Sequence, residues 1–291
     1  MNKSIFAILA AVVVMLFAGC TKTNNGFGRL VVNVTDAPFP IDDIESATVT
    51  ISKVELRKAG DGISDGSPFV IVSEEPVTFD LIDLRNGVVD KLTDLEIEEG
   101  EYNLVRLYVD EASLKVKDGE TYNVKVPSGE QTGIKIFIRP SLIVEGGLTS
   151  ELLLDFDLSR SFIMRGHMNN PRGINGFIFK PVVRAVNNTT AGRIEGFVKD
   201  EAGEAIENAS VTVGQGEDEI STAFTDETGF YSVIGLPAGE YSVSASKEGY
   251  ETVTFDEVTV TGGNKKVVDF TLPAVEEEES EGEGEEEEGG E

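Results

Sequence analysis

Tryptophan is absent from this 291-residue sequence, and cysteine and histidine occur once each, as Cys20 and His167. One cysteine forms no intrachain disulfide. One histidine without a second soft ligand builds neither a zinc site nor a histidine-based triad. No glycine-rich phosphate loop is present, and no cofactor is expected from this inventory. Positive charge is also scarce: 24 Lys and Arg stand against 53 Asp and Glu, a formal net charge of −29. A field of that sign repels nucleic acid and anionic lipid, so nucleic acid is excluded as a partner. After Phe17 no hydrophobic run reaches spanning length, so the remainder is not expected to cross a membrane as a helix. The 40% hydrophobic content is enough for two modest cores.

What the first twenty residues do hold is an apolar run from Ile5 to Phe17, preceded by Lys3 and followed by Ala18-Gly19-Cys20. The run is too short to span a bilayer and suits a signal peptide. The segment resembles a bacterial lipoprotein signal, in which the cysteine thiol is acylated and becomes the new N-terminus after cleavage. Phe17 departs mildly from that pattern, standing where leucine is commoner. The resemblance implies a signal peptide over 1–19, fatty acyl chains such as palmitate at Cys20, and membrane attachment through that lipid anchor. Each buried methylene contributes about 0.8 kcal/mol, so two or three chains hold firmly where one holds marginally. An ordinary secretory signal is the plainer alternative. Residues 20–27 read as a polar tether. Thr21, rather than aspartate, follows the cysteine, which within this resemblance implies the outer membrane of the cell envelope, periplasmic or surface-facing.

The rest of the sequence reads as all β. Leu30, Val32 and Val34 alternate with polar neighbours, as do Val49 and Ile51. The phase changes before Val54 and Leu56, which predicts a bulge near Ser52-Lys53. Leu114–Val116 and Val124–Val126 flank Asp118-Gly119, a favoured hairpin turn. Ile134, Ile136 and Ile138 form a further alternating set, and Phe177 and Phe179 another. Two stretches could be short helices, but none has a sustained 3.6-residue stripe. The expected architecture is two β-sandwich domains in tandem, over 28–187 and 192–273, joined by Asn187-Asn188-Thr189-Thr190-Ala191. Residues 274–291 carry eleven glutamates, which from Glu276 onward are interrupted only by Gly and Ser280. They are expected to form a disordered, solvated tail.

Few residues have the makings of a site. Asp155 and Asp157 lie two apart in a strand-like run and project from one face at roughly 7 Å. Such a pair could serve glycoside hydrolysis or hold a cation. It could equally be the solvent face of a strand whose Leu154, Phe156 and Leu158 enter the core, and alternation favours that reading. Thr35-Asp36-Ala37-Pro38 and Pro127-Ser128-Gly129 read as turns that could also line a ligand site, since loops on a rigid sandwich often carry binding groups. Asp36, Asp155 and Asp157 are therefore the candidate ligand or cation residues. Asp61–Gly66 lacks an oxygen ligand at Ile63 and reads as a polar turn. His167 reads as a loop residue.

Two ordered sets of residues resemble known families. Val32-Asn33-Val34-Thr35-Asp36-Ala37-Pro38, Gly100-Glu101-Tyr102, Val126–Lys135, Leu154-Asp155-Phe156-Asp157 and Lys180–Arg184 are similar to a bacterial and archaeal domain-of-unknown-function family, DUF4382, common in lipoproteins. Gly196-Phe197-Val198, Ala209–Val213, Gly229-Phe230-Tyr231, Leu236–Tyr241 and Lys247–Tyr250 resemble the carboxypeptidase regulatory-like domain. That domain is a transthyretin-type accessory module of carbohydrate-binding-like fold. Three function classes follow. The leading expectation is a non-enzymatic envelope lipoprotein that binds other surface proteins in adhesion or assembly. The alternatives are glycan binding, favoured if Tyr102 and Tyr108 form an exposed pair, and hydrolysis through Asp155 and Asp157.

Overall fold

The computed structural model describes residues 26–37, 44–60, 69–117, 119–124, 126, 132–166 and 174–275. Cys20, Pro38, Asp61–Gly66, Asp118, Pro127–Gly129, His167 and the glutamate tail from Glu276 lie outside the described residues. Among the described residues no helix is long and apolar enough to cross a membrane.

The alternating runs become strands whose apolar positions are sealed. Leu30, Val32 and Val34 are fully buried on β1 (Phe27–Ala37), as are Val54 and Leu56 on β2 (Ile44–Lys58). The first domain continues through β3 (Phe69–Ser73), β4 (Val77–Asp80), β5 (Asp90–Glu98), β6 (Gly100–Val116) and β7 (Thr121–Val124). It closes with β8 (Ile134–Val144), β9 (Thr149–Asp157), β10 (Phe162–Gly166), β11 (Ile174–Phe179) and β12 (Val183–Asn187). Among the described residues two four-residue helical turns interrupt it, a 3-10 turn at Leu81–Leu84 and α1 at Leu158–Ser161.

The strand order β3-β2-β6-β8-β12-β9-β1-β5 forms one path, with β4 on β2 and β7 on β6. Its two halves join where Ala185 of β12 pairs with Ile138 of β8, so the sheet folds over a shared core as a sandwich. At the opposite margin the Thr93 hydroxyl donates to the Val72 carbonyl at 3.3 Å, bringing β5 against β3. The register of β2 against β6 shifts on both sides of Ile51, the bulge that the phase change predicted. Hairpin pairing from Ala112↔Val124 to Lys115↔Thr121 likewise follows the apolar alternation.

The second domain comprises β13 (Gly192–Asp200), β14 (Ser210–Gln215), β15 (Asp218–Phe224), β16 (Phe230–Leu236), β17 (Gly239–Ser246), β18 (Val253–Val260), β19 (Lys265–Val267) and β20 (Phe270–Leu272). One sheet is β16-β13-β19 with β20 also on β13; the other is β15-β14-β17-β18. Tyr231, Tyr241, Val243, Ala245 and Phe270 fill the space between them. Gly196 allows the edge to close: a Cβ there would fall 1.9 Å from the Val268 carbonyl oxygen, so any side chain forces β13 and the following edge apart. The chain is a tandem of β-sandwiches.

The two sandwiches touch. Leu153 of β9, Val186 of β12, Ala191 and Ile234 of β16 form a small apolar cluster between them. Gly87 meets Ser232 and Ile234 so closely that a Cβ would lie 3.0 Å from each side chain.

Candidate functional site

Pairing of β1 with β9 is parallel and sets Thr35 beside Asp155, Asp36 beside Phe156 and Ala37 beside Asp157. The three aspartates proposed from sequence therefore gather at one corner of the first domain, where β9 turns into α1. Each has its own internal duty. Asp157 is the N-cap of α1; its Oδ1 accepts from the Arg160 amide at 2.9 Å and the Ser159 hydroxyl at 2.7 Å, and its Oδ2 pairs with the Arg160 guanidinium. Asp36 Oδ1 accepts from the Leu158 amide at 3.1 Å, holding the same turn from β1. Asp155 Oδ2 receives Nε of Arg184 at 3.0 Å and the Arg184 Nη2 as well.

The solvent-face expectation for β9 is corrected. Asp155 and Asp157 are only 5% and 7% exposed. The outer side of β9 is covered, because Leu153 packs against the second domain and Arg184 lies over Asp155. A narrow polar cavity remains in this joint, bounded by Thr35, Asp36, Gly87 and Asp155 on one side and by Ser221, Thr222, Ser232 and Ile234 on the other. Alternation along a strand cannot reveal such cover, since a second domain seals an outer face as well as a core does.

Burial sets the electrostatics. Desolvation raises the Asp36 carboxyl well above the ordinary carboxylate range, and the nearby charge of Asp155 raises it further. Among the described residues its Oδ2 has no hydrogen-bond partner, which fits a group that keeps a proton rather than a buried unpaired charge. Desolvation also raises Asp155, against the opposing pull of Arg184. Among the described residues, no group of three His, Cys, Asp or Glu side chains is placed to hold a metal ion. Among the described residues the arrangement locks a turn and a domain joint around a narrow cavity.

The tyrosine pair is not a sugar platform. Tyr102 is fully buried and donates to the Glu98 carbonyl at 2.9 Å, while Tyr108 donates to Glu55 Oε2 at 3.1 Å. Sequence reasoning missed Arg184, Ser221 and Ser232 as members of the joint. For Arg184 a signal existed, since its strand closes the same motif set as Asp155; for the two serines none did.

Comparison with known proteins places the first domain. Residues 27–181, just over half of the chain, match the model for a domain of unknown function (DUF4382). The chain belongs to this family. Residues 193–273 of this DUF4382 protein match the carboxypeptidase regulatory-like domain, which fits a binding or interaction module. No curated protein matches.

Among solved structures, 3-chlorocatechol 1,2-dioxygenase from Rhodococcus opacus 1CP is similar at 15% identity, over 30% of this chain and 61% of that one, with a TM-score of 0.24. A candidate carbohydrate-binding protein from Bacteroides uniformis ATCC 8492 is similar at 20% identity, over 28% of this chain and 40% of that one, with a TM-score of 0.25. Catechol 1,2-dioxygenase from Acinetobacter radioresistens is similar at 16% identity, over 31% and 53%, with a TM-score of 0.25. The DUF4382 protein thus spans less than two thirds of each of these chains, and likenesses this slight carry neither a dioxygenase nor a carbohydrate-binding assignment.

Proposed function

We propose that this chain is a lipid-anchored, non-enzymatic binding module of the cell envelope, attached at Cys20 and engaging other envelope proteins through its two sandwiches. The observation that carries the anchor is the apolar run closed by Ala18-Gly19-Cys20, a lone thiol in the setting where acylation uses one. What supports a binding role is the regulatory-like second domain, and what weighs against hydrolysis is that Asp36, Asp155 and Asp157 are each buried and bonded to the fold. A glycosidase needs two carboxyls reachable by substrate and water, with environments that split their pKa values.

Incubating the purified protein with an envelope glycan panel and separately crosslinking it in intact cells tests this reading. The expected result is no glycan turnover and a saturable crosslink to an envelope protein. Turnover abolished by Asp155→Asn or Asp157→Asn would establish a hydrolase instead.

A further inference from the structure

One face of this acidic protein is basic and aromatic. On the outer side of the β3-β2-β6-β8 half, the pairing registers fix two adjacent rows, Phe69–Arg57–Leu104–Phe137 and Ile71–Glu55–Arg106–Lys135. Lys53 and Tyr108 pair in the next row, and Arg139 follows Phe137 by two residues on the same face of β8. Among the described residues five cations thus share one outer surface: Lys53, Arg57, Arg106, Lys135 and Arg139. Among the described residues of these rows the one anion is Glu55, buried between Lys53 at 2.9 Å and Arg106 at 3.3 Å. Asp110, two residues beyond Tyr108 on the same face of β6 and 2.5 Å from the Ser52 hydroxyl, stands at its rim with Glu74 and Glu101, and Glu74 is itself 3.4 Å from Lys53.

The aromatic rings are interleaved with that charge. The Arg106 guanidinium lies 3.7 Å from the Phe69 ring centre, Arg139 lies 5.5 Å from Phe137, and Lys53 lies 5.6 Å from Tyr108. Phe137 remains 56% exposed and Ile71 46% exposed. Water solvates such a face poorly at its apolar points. A bilayer surface satisfies both halves at once, with rings and aliphatic tips among the headgroups and cations on the phosphates. The net charge of −29 does not forbid this contact. Salt screens charges beyond about 8 Å, so the nearest groups govern docking while the acidic remainder is turned away.

The chain also enters the fold close to this face. Gly26 accepts from the Glu99 amide at 2.8 Å beside the start of β6. Leu104 lies four residues further along that strand, about 13 Å away. The six residues from Cys20 to Gly26 reach at most about 21 Å. We propose that this face docks flat on the phosphate-bearing surface of an anionic phospholipid bilayer. The proposal rests on the lipid-anchor reading for its biological setting, since an acylated Cys20 would hold the face at bilayer distance.

The test is co-sedimentation of the mature chain carrying Cys20→Ser, so that no acyl group contributes. Vesicles of phosphatidylglycerol with phosphatidylethanolamine are compared with vesicles of phosphatidylcholine alone. Binding is expected to the anionic vesicles only, and to weaken with added salt. Lys135→Glu with Arg139→Glu is expected to reduce it by at least about tenfold, since each basic residue near the surface contributes several-fold in affinity. All three β8 side chains here are exposed, so melting should be unchanged; Phe137→Ser provides a second variant with an expected loss at constant charge.

Equal binding to the two vesicle types, or undiminished binding by the charge-reversed variant, would overturn the proposal. So would saturable binding to an acidic polysaccharide such as alginate with none to vesicles. Because the acyl group is removed throughout, vesicle binding stands or falls separately from the modification of Cys20. An unmodified cysteine in native protein would remove the anchor and leave this result in place.

Discussion

Replacing Cys20 with serine is expected to shift nearly all of the protein from the membrane fraction to the soluble fraction. Residues 1–19 should be exchanged for an ordinary secretory signal in the same experiment, so that cleavage does not depend on acylation. The effect is large because the acyl chains supply nearly all the holding energy. At about 0.8 kcal/mol per buried methylene, two chains bind far beyond the marginal attachment given by one. The remaining candidate for attachment is the basic and aromatic face of the first domain, a contact of few charges that a high-salt wash dissociates. Fractionation after such a wash checks the expectation. Protein that stays with the membrane after both changes would count against acylation as the anchor.

The second large effect is on stability, at the joint. Arg184→Ala leaves Asp155 at 5% exposure without its guanidinium partner. Removing one partner of a buried pair typically costs 3–5 kcal/mol. Arg184 is itself partly exposed, and Asp155 can take up a proton, so the lower end of that range, about 3 kcal/mol at neutral pH, is expected. For domains of this size the corresponding fall in melting temperature is roughly 6–12 °C.

The pH dependence distinguishes this mechanism from simple loss of packing. Burial already raises the Asp155 carboxyl in the folded protein, and loss of Arg184 raises it further. A carboxyl held above its unfolded value favours the fold only while protonated. The deficit of the variant should therefore be smallest near pH 4 and grow as pH rises through the folded value. Asp155→Asn in the Arg184→Ala background removes the stranded charge and should recover much of the loss. Thermal unfolding across that pH range decides the matter. A deficit that is independent of pH and unrelieved by Asp155→Asn would mean that Arg184 acts by packing alone.

Much of the fold is legible in local patterns, because local patterns report burial. Val54 and Leu56 resume the inward phase after the bulge that their sequence phase predicts, and Phe179 is buried while Phe177, two residues away on the same face, packs partly buried against the same core. The sequence pattern carries the strand on to Leu158, whereas the structure ends β9 at Asp157, whose carboxylate caps the helical turn Leu158–Ser161 by accepting from the Arg160 amide.

The joint was not legible. Asp155 occupies an outward position of β9, and only the arrival of Ser221, Ser232 and Ile234, more than sixty residues later, makes that position an interior one. The basic face escaped for a related reason. Lys53, Arg106 and Lys135 come from three strands far apart in the chain, and the total charge hides what their register collects. Charge counted along a sequence and charge gathered on a surface are different quantities.

Attachment to the membrane turns on the chemistry of one sulfur atom. Intact-mass analysis of the protein extracted from native envelopes, with fragmentation of its first peptide, reads that atom directly. The predicted result is a chain beginning at residue 20 whose mass exceeds that of the polypeptide by a thioether-linked diacylglycerol on Cys20. A chain beginning elsewhere, or a free thiol at Cys20, would contradict it.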